Sequence, residues 1–541
     1  MWSAVGRLAV VALVLAASSC GGGGGGQGCT VSGVSVVAEA AAVFADAPDG
    51  VTASVTSSGP CTSGVDWSAS PAGGTLTPSG LTASFSSSVP GTYTVTATSK
   101  ADATRSGSVQ IVVRPPCGLP SGTIVSHTGQ VNADETWEGY GVTHEVPGGL
   151  RINAPATVTI EPCAIVSLGA SQGIQVNGDS AGMRTAKLLV AGSDDANGFV
   201  SFVPSGAAPW GFLQGVNERS LIELHHAKLT LAGGGGTFSN GAAIWGRGPG
   251  LHAQPMPTVL VDHVVVDTPV GGGVFLDSEA TFDPASGPLT VKGASSWPIE
   301  GPMMAAGTVP PFTGQDNLVH DFYVGDNADV FADLTIGNRI PVRIVTGQVN
   351  VKPAGGASGT VTLTLLPGAT LLFGKPSPSS IGARVLFGTA GGGIEGNLVA
   401  VGTALEPITI TSGEASPAPG DWSGLQLIDS PGSQLAYVTV AYAGGFSGWV
   451  TTNCKPTGTA DAAAIIVGGA PGWVPDASLL ANSTISDSAG FGIDAIWANS
   501  TFDTPDLSSG NTFTGNAGCN QTYNGCLAGT CTCPAGGGCL P

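Results

Sequence analysis

The chain has 541 residues, of which 10% are charged and 85 are glycine, and it carries a formal net charge of −20. Only 17 residues are basic, so there is no basic stripe to neutralise phosphate and a nucleic-acid partner is excluded. So much glycine, beside so little Lys and Glu, excludes a helical bundle and points to an all-β chain with many turns, long enough for two or more domains.

Residues 1–20 read as a targeting segment. Arg7 supplies the positive start, and the apolar run 8–17 is too short to span a bilayer. Ala17, Ser18 and Ser19 precede Cys20. The segment resembles a bacterial lipoprotein signal peptide, with Ala17 standing where that family prefers Leu. The resemblance implies an acylated Cys20 and a lipid membrane as partner. With Gly21 next, it implies the outer membrane or cell surface of a Gram-negative bacterium. Cleavage after Ser19 and simple secretion is the alternative. Residues 21–28 form a glycine tether that cannot pack a core.

Residues 29–113 predict one β-sandwich. Short β-branched runs recur at 34–37, 53–56, 65–68, 83–85, 93–98 and 108–113, with turn residues between them. The stretch VDWSASPAGGTLTPSGLTASFSSSVPGTYTVTATS resembles a bacterial immunoglobulin-like (Ig-like) domain. That implies Trp67 as the buried aromatic plug and a role as stalk or spacer. Cys29 and Cys61 could tie its strands together. Residues 114–117, with Pro115 and Pro116, read as a stiff linker.

Beyond the linker one stretch occurs twice. KLLVAG, ending at Gly192, matches NLVAVG, ending at Gly402. Trp210 in PWGFL matches Trp422 in DWSGL, and HAKLTLAGG from His226 matches YVTVAYAGG from Tyr437. Pro162 matches Pro367, and DHVVVD from Asp262 is set against NSTISD from Asn482. Order and spacing hold over more than a hundred residues, the signature of a solenoid. The expected units are 118–310 and 311–518. The motifs xITIT, DWxGL and YVxVxYAGG resemble surface proteins with a right-handed parallel β-helix, the architecture of the pectate-lyase-like superfamily. The expected fold is therefore all-β: an Ig-like sandwich followed by a long β-helix built from a duplicated unit.

Residues 519–541 read as a Cys-rich tail or cap. It holds Cys519, Cys526, Cys531, Cys533 and Cys539, with Cys454 available upstream. In an exported chain these read as disulfides, and Cys117 with Cys163 is a plausible pair. The tail lacks a two-CxxC zinc framework.

The sequence carries no recognisable catalytic constellation. Polygalacturonase-like members of the fold use NTD, DD and GHG motifs, and only Asp194-Asp195 offers a DD here, in a turn-like sequence. Val261-Asp262-His263 resembles part of the WxDH element of pectate lyases, without its tryptophan, and Arg247 is the nearest base. Asp262 is read as a turn or ladder residue. His225-His226 is read as a histidine pair unable to chelate, because neighbours on a strand point to opposite faces. Asp321, Asp326, Asp329 and Asp333, beside Asn327, are weak candidates for calcium in a loop, and no other cofactor is expected. Trp210 and Trp422 are read as core or rung-edge residues. The expected function is a surface-anchored, non-enzymatic binding or structural protein in contact with matrix or polysaccharide. The alternative is an extracellular polysaccharide lyase or hydrolase on the same fold.

Overall fold

The computed structural model describes residues 28–115, 117, 119–179, 183–193, 198–234, 241–250, 253–325, 328–345, 347–375, 384–387, 394–447, 462–468, 475–496 and 505–522. The chain divides into two compact units, Met1–Pro115 and Pro116–Pro541.

The first unit is two facing four-stranded sheets. Its strands are β1 (Thr30–Ala38), β2 (Ala42–Phe44), β3 (Asp49–Ser58), β4 (Val65–Ser70), β5 (Gly74–Ser79), β6 (Thr82–Ser87), β7 (Gly91–Ser99) and β8 (Ser106–Arg114). The sheet orders are β1-β3-β6-β5 and β2-β8-β7-β4. All pairs are antiparallel except β2 with β8. Alternation along β6 and β7 turns Ala83, Phe85, Tyr93, Val95 and Ala97 inward, where they are buried. Trp67 is not the plug. It sits on the edge strand β4 and is only partly buried, with its indole N–H bonded to the Gly80 carbonyl at 3.2 Å. The centre is filled by Phe85 and Tyr93, whose rings lie 5.2 Å apart. Cys29 and Cys61 form a disulfide.

The second unit is built from parallel sheets alone. One sheet of 14 strands runs from Gly129–Val131 to Thr512–Thr514. Sheets of eight and six strands flank its first half, and two sheets of five strands flank its second. In each half, successive strands visit three sheets in turn before returning to the first, a pattern compatible with a parallel β-helix. Strands read as alternating inward Val, Ile and Leu, as in Thr157–Ile160 and Ile408–Ser412. Their buried side chains form one contiguous core from Val131 to Leu507. Cys117 and Cys163 are joined by a disulfide in the first turns.

Sequence-matched positions make matching bonds. Trp210 and Trp422 are fully buried; the Trp210 indole N–H donates to the Thr230 carbonyl at 2.7 Å, and that of Trp422 to the Ala441 carbonyl at 2.8 Å. The pairs His226/Tyr437 and Leu231/Tyr442 all have positive φ, between 46° and 59°. One match needs correcting. Positive φ falls on His263 and Asn482, and on Thr268 and Asp487, so Asn482 corresponds to His263 and not to Asp262. The left-handed pivot before each strand sets the register, and the shared Asp in the sequence does not.

The halves are also out of step by one face. Ile165–Leu168 lies in the eight-stranded sheet, whereas its match Thr370–Phe373 lies in the 14-stranded one. Leu213–Gly215 lies in the 14-stranded sheet, whereas its match Gly424–Ile428 lies in a five-stranded one. The step happens where the six-stranded sheet ends at Ala280–Phe282 and the eight-stranded one at Phe312–Gln315. A single helical turn, Met303–Ala306, entirely buried, fills the place of a strand there. The Thr308 hydroxyl accepts the otherwise open Phe282 N–H at 3.1 Å.

Candidate functional site

Parallel pairing stacks equivalent residues in columns about 4.8 Å apart. One outward column of the 14-stranded sheet is continuous over nine strands. Its first part is Gln130, Arg151, Gln175 and Gln214, in direct register. Its second part is Trp245, Phe275, Glu300, Tyr323 and Arg343.

The first part is an amide ladder. Arg151 Nη2 donates to Gln175 Oε1 at 2.9 Å, and Gln175 Nε2 to Gln214 Oε1 at 3.0 Å. A parallel row adds Asn177 Nδ2 to Asn153 Oδ1 at 3.1 Å and Asn153 Nδ2 to Gln130 Oε1 at 2.9 Å. Beside it runs a shallow groove lined by Gly129, Gly149, Arg151, Gln172, Gln175 and Phe212. Gly129 and Gly149 there adopt positive φ, 77° and 79°, and a Cβ on Gly173 would strike the Phe212 backbone.

The second part is aromatic. Phe212 meets Trp245 edge-on at 6.2 Å, and Trp245 lies 5.8 Å from Phe275. Trp297 and Tyr323 stack at 4.3 Å and 15°. The Arg343 guanidinium sits 5.7 Å from the Trp297 ring centroid, within cation–π range. Trp245 Nε1 is buried with no hydrogen-bond partner among the described residues. An orphaned buried donor is rare and marks a place where an acceptor from outside would be favourable.

The carboxylates singled out by sequence are each engaged within their own neighbourhood. Asp321 is nearly buried and takes both Nε and Nη2 of Arg343 at 2.7 Å. A guanidinium already satisfies that carboxylate and repels a calcium ion. Asp329 Oδ1 accepts from Asn350 N at 3.0 Å and Asn350 Nδ2 at 2.9 Å, and Asp333 Oδ1 from Thr362 N at 2.9 Å. The structure does not bring the three together, and Asp326 lies outside the described residues, as does Asp194-Asp195. Arg247 Nε faces Asp277 Oδ2 at 3.7 Å on the adjacent strand.

The histidine pair needs a second correction. The strand Ser220–His225 ends before His226, which adopts φ 46°. The strand-alternation argument therefore does not apply to it. His226 instead stacks on His263 of the next rung, centroids 4.7 Å apart and planes 7° from parallel. Asp262 lies between: its Oδ1 is 2.8 Å from His263 Nδ1, and its Oδ2 is 3.5 Å from His225 Nδ1. Sequence reasoning missed this grouping; the signal was the repetition of HH and DH before matched strands.

Two further histidines meet near the first turns. His127 Nε2 and His144 Nδ1 are 2.9 Å apart, and His144 Nε2 is 2.8 Å from the Glu138 carbonyl. Trp137 stacks on both rings, at 3.9 and 5.1 Å. Burial holds both imidazoles below the usual histidine range, and for His127 the neighbouring His144 adds to the effect while Glu135 opposes it.

Cys519 is disulfide-bonded, and Cys20, Cys454, Cys526, Cys531, Cys533 and Cys539 lie outside the described residues. Comparison with protein-family models, with curated proteins and with solved structures finds no match.

Proposed function

We propose that this chain is a non-enzymatic surface protein that lays an extended polysaccharide along the outward column of its 14-stranded sheet. One observation carries the reading: amide and guanidinium groups from Gln130 to Gln214 continue, in unbroken register, through the buried Trp245 into the partly exposed Phe275, Glu300 and Tyr323. Sugars have polar rims and apolar C–H faces, so they suit hydrogen-bonding amides beside flat rings. The repeat of ~4.8 Å between strands is on the scale of a sugar ring. Ladder residues already held by neighbours lose little side-chain entropy on binding. Two features argue against turnover: among the described residues that line the groove there is no carboxylate, whereas hydrolysis needs a pair of them, and Asp277, Asp321 and Asp262 each have a cationic or imidazole neighbour.

The remaining parts fit that role. The second unit is read as a right-handed parallel β-helix presenting the column, and the first as an Ig-like spacer. Acylation of Cys20 would anchor both to an outer membrane or cell surface, and the two disulfides suit an oxidising compartment.

A glycan panel probed with the purified chain tests the reading. At least one neutral or acidic polysaccharide should be retained, and replacing both Trp297 and Tyr323 by Ala should weaken retention by roughly tenfold or more, at about 1–3 kcal/mol per lost ring stack. Silence across the panel would sink it. New reducing ends or unsaturated products would instead favour the lyase or hydrolase alternative.

A further inference from the structure

We propose that His226, Asp262 and His263 form a binding site for a divalent transition cation of the zinc class. One ligand atom from each of the three lies within 4.8 Å of the other two. Three of the chain's seven histidines, 225, 226 and 263, gather at this one corner, in a chain where charged and imidazole groups are sparse.

The donor set selects the metal. Two imidazoles and one carboxylate suit zinc, copper or nickel, whereas calcium and magnesium want oxygen donors throughout. Tetrahedral zinc at about 2.0–2.1 Å from each donor needs donor atoms about 3.3 Å apart. Asp262 Oδ1 and His263 Nδ1, at 2.8 Å, are already inside that spacing, and the remaining approaches, of up to about 1.5 Å, can be made by rotation of the half-exposed His263 and Asp262. The metal would replace the His263–Asp262 hydrogen bond. His225, 3.5 Å from Asp262 Oδ2, can hold that carboxylate from behind, as outer-shell partners of metal ligands commonly do. His226 is nearly buried, and its backbone is fixed on both sides: its N–H donates to the Asp262 carbonyl at 2.8 Å, and its carbonyl accepts from Val200 N at 2.9 Å. The Phe199 ring meets its imidazole edge-on at 5.8 Å.

The second half of the coil provides an internal control. The same pivots carry Tyr437 and Asn482 in place of His226 and His263, with φ of 52° and 51° against 46° and 53°. Ala481 stands where Asp262 would be. The backbone therefore accepts residues that cannot form this donor set, and nothing in the pivot itself demands histidine. All three ligand-bearing positions differ together, although the pivot hydrogen bond is kept: Tyr437 N donates to the Ala481 carbonyl at 3.2 Å as His226 N does to that of Asp262. The metal site does not depend on the polysaccharide reading.

The experiment uses the oxidised full chain, stripped with chelator and titrated with zinc chloride by calorimetry under non-reducing conditions. The comparison is the triple variant His226→Tyr, Asp262→Ala, His263→Asn, which installs the residues the second half already tolerates. The wild type should bind one more zinc equivalent than the variant, and millimolar calcium should not displace it. The single change His263→Asn should weaken the site by about tenfold or more while leaving the circular dichroism spectrum unchanged. Equal zinc uptake by wild type and the triple variant would overturn the proposal, as would displacement by calcium.

Discussion

His127, just past the strand Ile124–Ser126, and His144, on the adjacent strand Thr143–Val146, share a hydrogen bond against Trp137, and burial lowers the pKa of both. The charged groups facing them are Glu135, whose Oε2 is 3.9 Å from His127 Nδ1, and Glu138. In the unfolded chain each takes up a proton near its usual value of about 6.5. The folded values are lowered, so the unfolded state binds more protons between the two. The stability this pair contributes is complete above pH 6.5 and is lost as pH falls through the lowered folded values. The melting temperature of the second unit should therefore drop on acidification below about pH 6.5, and the double change His127→Asn, His144→Gln should flatten that slope. An equally steep slope in the double variant would refute this account. None of this pairing was readable in the sequence, because His127 and His144 are 17 residues apart and meet only through strand stacking. His226 was misread for a related reason: one residue in the left-handed region re-aims a side chain, and no local composition signals it when the residue is not glycine.

At the level of elements, asparagine side chains take the place of a strand where a sheet stops. Asn317 lies just past Phe312–Gln315, the last strand of the eight-stranded sheet. Its Oδ1 accepts from Ala294 N at 2.9 Å and its Nδ2 donates to the Val291 carbonyl at 3.0 Å, copying one backbone pair. The same device recurs near the last strand of the long sheet. Asn511 bonds Ser483 N at 2.8 Å and the Leu480 carbonyl at 3.0 Å, and Asn516 bonds Ser488 N at 2.9 Å and the Ile485 carbonyl at 3.1 Å. Replacing Asn317 by Ala leaves the buried Ala294 N–H unpaired, at about 1–3 kcal/mol. The urea midpoint should fall accordingly, and Asn317→Asp, which keeps an acceptor but buries a charge, should not restore it. A midpoint for Asn317→Ala indistinguishable from wild type would show that water serves as well. Strands themselves were legible, since Gly and Pro punctuate β-branched runs such as Ile408–Ser412. Short ones such as Ala42–Phe44 and Gly74–Ser79 were not, as their three and six residues carry little apolar signal.

For the second unit taken whole, Trp210 and Trp422 are each a buried indole bonded to a carbonyl at a matched position, and their correspondence was legible in the sequence. The one-face step between the halves was not, because it depends on which strand each matched strand meets and not on its own residues. Among the described residues, two sheets end at that junction, two begin, and of the sheets that meet there the 14-stranded one alone passes through, so the ladder is thin at this point. In a stacked array, each layer is stabilised by its neighbours, so cooperativity across the array depends on its weakest interface. Apolar packing around the helical turn Met303–Ala306 has to supply what hydrogen bonds do not, and Met303 is fully buried in the common core. Met303→Asp places an unpaired charge at that point, a change that exceeds the about 2–5 kcal/mol lost by simple truncation. Wild type should unfold the coil in a single calorimetric transition. The variant should show two, with exchange protection lost first in the strands Phe322–Val324 and Leu334–Ile336 just beyond the turn. If the variant still melts in one step at a merely lower temperature, the halves are coupled through the long sheet alone and the buried turn is filler.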